Sequence, residues 1–106
     1  MSLRKDQVDA RMVHLLDQEA AADFRYFWLS FCDAKRTPGQ QFLGVCIVRA
    51  RGVMTSVQEA HRLGCNPGGE VQIHEIPIGV PFEPNDLGRL LTKSEAAAIN
   101  ARVLPA

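Results

Sequence analysis

Long apolar runs are missing from this sequence. No stretch approaches the roughly 18 residues that a membrane-spanning helix needs, and the polar N-terminus lacks the apolar segment of a secretory signal. Net charge is missing as well, because twelve Lys and Arg balance twelve Asp and Glu. Nothing at whole-chain level therefore favours a polyanion or a charged membrane surface as partner. Cysteine is scarce, three residues with no framework spacing. An odd, unpatterned set reads as thiols in a reducing compartment, so the expectation is a cytoplasmic protein. The short chemical signatures are absent too: no Walker loop, no G-x-G-x-x-G, no H-E-x-x-H, no C-x-x-C and no G-x-S-x-G.

What is present is an ordinary globular balance. The chain has 106 residues, 46% apolar and 23% charged, enough for one core and too few for two, so residues 1–106 are expected to form a single domain. Charge is unevenly spread: residues 24–62 hold six basic and two acidic side chains, and both flanks are net acidic.

Residues 5–21 predict a first helix, with Val8, Met12, Leu15 and Leu16 on one stripe. Phe24 to Cys32 is rich in aromatics and predicts a strand. A polar loop with Pro38-Gly39 leads to a second strand, Gln41 to Ala50, most simply as an antiparallel hairpin. Thr55 or Ser56 opens a capping-box pattern and predicts a helix to Leu63, stopped by Gly64. Its inward stripe is expected at Val57, Ala60 and His61, with Met54 before the cap. Glu70 to Ile76 alternates as a half-buried strand. The proline-rich stretch 77–86 predicts an extended connection, and Thr92-Lys93-Ser94-Glu95 opens a last helix with Ala96, Ile99 and Val103 inward.

The expected fold is α+β, in the order α-β-β-α-β-α, with a three-stranded sheet covered by helices. The aromatic strand is apolar on both faces, which suits a central position and the strand order 2-1-3. In the second strand Leu43, Val45 and Ile47 alternate with Phe42, Cys46 and Val48, and the register that assigns each set to a face is open.

Candidate chemistry is sparse. Cys32 and Cys46 lie in apolar strands and read as small core residues, whereas Cys65, in a loop, reads as the accessible thiol. The Cys and His spacings match no ligand pattern, so no metal and no cofactor are expected. Asn66-Pro67-Gly68-Gly69 reads as a helix-to-strand turn rather than an anion nest.

Three readings of function follow. The first is a protein-interaction or accessory module that self-associates as a homodimer, because neither face of the hairpin is made for water. A further protein partner is compatible with it. The alternative is a small-molecule binder or minor enzyme, with a pocket between the sheet and loop 77–86 lined by Tyr26, Trp28 and His74. Nucleic-acid binding by Tyr26, Trp28 and the nearby arginines is disfavoured, since the basic residues divide between the two ends of the hairpin.

Overall fold

The computed structural model describes residues 18–103. The first expected helix lies outside these residues except at its end, where 18–20 are helical. The remaining elements are β1 (Arg25–Cys32), β2 (Phe42–Ala50), α1 (Val53–Arg62), β3 (Glu70–Ile76), a 3-10 turn (Pro84–Asp86) and α2 (Lys93–Val103). The sheet order is β2-β1-β3, with both neighbours antiparallel to β1. This is the α+β order that the sequence predicts, with the aromatic strand at the centre.

The register assigns the faces. Phe27, Leu29 and Phe31 of β1 stand beside Val48, Cys46 and Gly44 of β2 and beside Glu75, Ile73 and Val71 of β3. On this face Phe27, Leu29, Phe31, Cys46 and Val48 pack under Ala60 of α1, with every one of them nearly inaccessible. The opposite face carries Tyr26, Trp28 and Ser30 of β1 beside Arg49, Ile47 and Val45 of β2. Val45, Ile47 and Ile76 pack there against Leu91, Ala96 and Ile99. The second face, whose apolar character calls for a cover by the chain's own helices or by another subunit, is thus covered by α2 and the preceding segment.

A bulge at the end of the hairpin splits the expected β2 alternation. The β1–β2 register shifts between Phe31 and Cys32, so that Cys32 pairs with Phe42. Leu43 packs with the α1-side core, while Val45 belongs to the opposite one. Gly44 makes this possible: its φ is +143°, and a Cβ there would meet Leu90 Cδ1 at 2.6 Å and the Leu91 carbonyl at 3.0 Å.

α1 begins earlier than the capping pattern predicts. Gly52 is its N-cap, and Thr55 sits inside the first turn, accepting from the Gly52 N–H at 3.1 Å. The orphan donors are met from a distance in sequence: the Glu19 carboxylate accepts from Met54 N (3.1 Å), Thr55 N (2.9 Å) and Thr55 Oγ1 (2.9 Å). A side chain that arrives only with the tertiary fold therefore replaces the local cap. Ser56 and Ala60 are the buried residues of α1, Val57 packs half-buried against the same core as expected, and His61 is exposed rather than inward. Gly64, at φ +77°, ends the helix where expected, with Cys65 N–H donating to Ala60 O (3.0 Å) and Gly64 N–H to His61 O (3.1 Å).

That helix end turns Cys65 inward, and it forms a disulfide with Cys46. Cys65 is 3% exposed and Cys46 fully buried, which corrects the reading of Cys65 as the accessible thiol and of Cys46 as a lone core thiol. Cys32, half-buried, is the free cysteine among the described residues. Disulfides persist in oxidising surroundings, so the cysteine count no longer argues for a reducing compartment.

The segment between β3 and α2 is more structured than a plain extended connection. Gly88 N–H donates to Ile47 O (2.9 Å), and Val45 and Leu91 exchange hydrogen bonds at 3.2 and 2.7 Å. These contacts occupy the outer edge of β2. The α2 cap is the predicted one, with Glu95 N–H donating to Thr92 Oγ1 (3.2 Å) and Thr92 N–H to Glu95 Oε1 (3.1 Å). Among the described residues, no helix is long and apolar enough to cross a membrane.

Candidate functional site

The β1 register sets Trp28 on one rung between Ile47 and His74, and Ser30 on the next between Val45 and Gln72. α2 crosses above these rungs. Its residues Lys93, Ala96, Ala97 and Asn100, spaced i, i+3, i+4 and i+7, make one helical face. Ala96 is buried against the sheet, yet the two alanines are too short to fill the space above Trp28 and Ser30. The result is a cavity of about 390 Å³. Its apolar lining is Trp28, Phe42, Val45, Ala96 and Ala97, and its polar groups are Ser30, His74, Lys93 and Asn100.

Of the three residues that the sequence singles out, Trp28 and His74 line this cavity. Tyr26 shares their sheet face but does not line it. Its ring packs on Phe82, centroids 5.1 Å apart at 54°, and Val80 and Leu87 join the same apolar cluster. Residues of loop 77–86 thus fill the space over Tyr26, and the cavity lies between the sheet and α2 instead of under that loop. The sequence reading missed Phe42 because the bulge had to be known first. Lys93, Ala96, Ala97 and Asn100 left a weak signal, a helical face with two small residues at its middle.

The electrostatics around the cavity come from α2. Glu95 accepts from Arg89 Nη2 at 2.6 Å and from Thr92 N–H. The Arg89 hydrogen bond, with the Thr92 N–H behind it, holds the Glu95 carboxyl down to about 2. Arg89 is correspondingly raised, and its Nε also donates to Asn85 O at 2.7 Å. This carboxylate is therefore committed to the segment leading into α2. Among the described residues, no Asp or Glu lines the cavity.

The remaining candidates are less able. A second hollow of about 300 Å³ beside the hairpin loop is lined by Asp33, Lys35 and Glu70, charges of both signs with no aromatic surface. At the far end of the hairpin the guanidinium groups of Arg49 and Arg51 lie over the Phe24 ring at 4.4 and 4.5 Å. Arg51 also donates to Ala20 O (2.6 Å), and Arg25 pairs with Glu75 and donates to Arg51 O (2.7 Å). These arginines and their aromatic are bound to one another. In the turn before β3, Gly68 N–H donates to Asn66 Oδ1 at 2.9 Å, so the turn is closed by its own side chain. Among the described residues, no group of three or more His, Cys, Asp or Glu is placed to hold a metal ion.

Comparison with protein-family models, with curated proteins and with solved structures finds no match for the chain. The functional reading rests on this geometry alone.

Proposed function

We propose that this protein binds a small molecule in the cavity between the sheet and α2. The observation that carries the reading is the 390 Å³ cavity with an aromatic floor and a few polar groups, since ligand sites run from about 300 to 1,000 Å³ and pair apolar walls with sparse polar contacts. Among the described residues, no hydrogen bond joins Ser30 to His74 or Lys93. A nucleophile needs such a neighbour to be activated, so binding is favoured over catalysis.

Trp28 is the only tryptophan of the chain and lines the cavity, so its fluorescence reports occupancy directly. A fragment library screened by Trp28 quenching and thermal shift should yield ligands that do both. Filling the space with Ala97→Leu should abolish their binding while leaving the fold intact. Ligands that bind Ala97→Leu as well as the wild type would sink the proposal.

Self-association is the second reading. The two-sided apolar character of the hairpin supports it less once α2 and residues 80–91 pack on the second face. What favours it is the outer edge of β3, which pairs with no strand among the described residues. Exposed Glu70 and Glu75 on that strand are the kind of charges that discourage edge pairing. Native mass spectrometry decides it: a dimer that survives dilution supports an interaction module, and a monomer removes it. Location follows the same logic. An odd, unpatterned cysteine set suits a cytoplasmic site, whereas the Cys46–Cys65 bond favours an oxidising compartment, and thiol trapping in intact cells distinguishes the two.

A further inference from the structure

Given a small-molecule site above Trp28, we infer that its ligand class is a compact amphipathic anion, an apolar or aromatic body bearing a carboxylate or similar group, held by Lys93. This inference rests on the proposed pocket and adds the chemistry of its occupant.

Three observations converge on Lys93. Its exposed side chain lines a cavity in which no carboxylate is found among the described residues. Among the described residues it makes no ion pair, because the nearest acid along the helix, Glu95, is engaged by Arg89 and Thr92. It is also the first residue of α2, where the aligned peptide dipoles leave positive charge and a cation is least welcome. A lysine there is electrostatically mismatched with its own helix. The helix end is already capped by Thr92 and Glu95, so an anion bound at the cavity mouth would pair with the Lys93 ammonium.

The rest of the lining suits the other half of such a ligand. The Trp28 indole, Phe42 and Val45 offer apolar and aromatic surface, and the short side chains of Ala96 and Ala97 leave room for a ring. Asn100 lies two turns further along α2, about 10 Å from Lys93 along the axis, which bounds the length of the occupant. A dianion or a polyphosphate would need more cations than the one lysine and one histidine that line the cavity among the described residues.

The test compares two probes of the same shape, phenylpropanoate and phenylpropanamide, titrated against the protein with Trp28 fluorescence as readout. The acid should bind at least about tenfold tighter than the amide, the size of one charge-assisted contact. Added salt should weaken the acid and leave the amide unchanged. In Lys93→Gln the two should bind equally, at the affinity the wild type shows for the amide. Equal binding of acid and amide to the wild type overturns the anion class while the pocket stands. A preference that persists in Lys93→Gln overturns the role of Lys93. Failure of both probes to reach Trp28, with Ala97→Leu indistinguishable from wild type, overturns the pocket and the anion together.

Discussion

Breaking the Cys46–Cys65 bond tests the core of this fold. The cross-link joins β2 to the turn that follows α1 across 19 positions. Closing a loop of that length removes about 11 cal/mol/K of entropy from the unfolded chain, which stabilises the fold by about 3 kcal/mol at 25 °C. Both sulfurs are buried beside Leu29, Val48 and Ala60, and a reduced cysteine is itself a good core residue. Reduction should therefore remove the cross-link without opening a cavity. For a domain of this size, 3 kcal/mol corresponds to a drop of about 12–24 °C in melting temperature. Because the bond is buried, protein should be reduced in denaturant, refolded with reductant, and melted beside the oxidised form by circular dichroism. Alkylation of the denatured, unreduced protein should label Cys32 and neither of the other two cysteines. A Cys46→Ala/Cys65→Ala variant should melt at the same temperature with and without reductant. Labelling of all three cysteines, or a melting temperature that ignores reductant in the wild type, would refute the reasoning.

Three further outcomes follow from single contacts. Glu95 is held near 2, below its ordinary 4.5, so the Arg89–Glu95 pairing stabilises the fold fully above about pH 4.5 and is lost as pH falls through 2; the acid limb of a stability–pH curve should flatten in Glu95→Gln, and an unchanged limb would show that the pairing contributes nothing. Gly44→Ala should cost about 1–3 kcal/mol, from the positive φ and from contact with Leu90 and the Leu91 carbonyl, read as a lower urea midpoint at constant slope. Glu19→Ala removes the acceptor of two α1 N–H groups and should cost about 1 kcal/mol, with faster hydrogen exchange at Met54 and Thr55; unaltered exchange there would mean that water caps the helix equally well.

Much of the fold was legible in local pattern. The double-sided apolar character of residues 25–32 marked the central strand, and strict alternation marked β3, whose bounds the structure reproduces. The Thr92–Glu95 capping box was correct because both partners lie within one turn. The Thr55 box was not, because Glu19 competes for the same donors from 36 residues away. Local chemistry cannot reveal a partner that only folding delivers. Trp28 and His74 were found as candidates since strand alternation placed each on a definite face. Neither the rung that joins them nor the alanine face of α2 above them could be read before the register was known.

The sequence by itself determined the α+β class, the central aromatic strand, and the positions of the strands and of the last helix, because each depends on residues a few positions apart. Tertiary structure alone decided the rest. The bulge at Gly44 turned Phe42 toward α2, the close of α1 brought Cys65 onto Cys46, and α2 met the sheet with two alanines where larger side chains would have filled the gap. Each of these depends on which distant segment arrives beside which. A cavity is space left between elements, and no single stretch of chain encodes it.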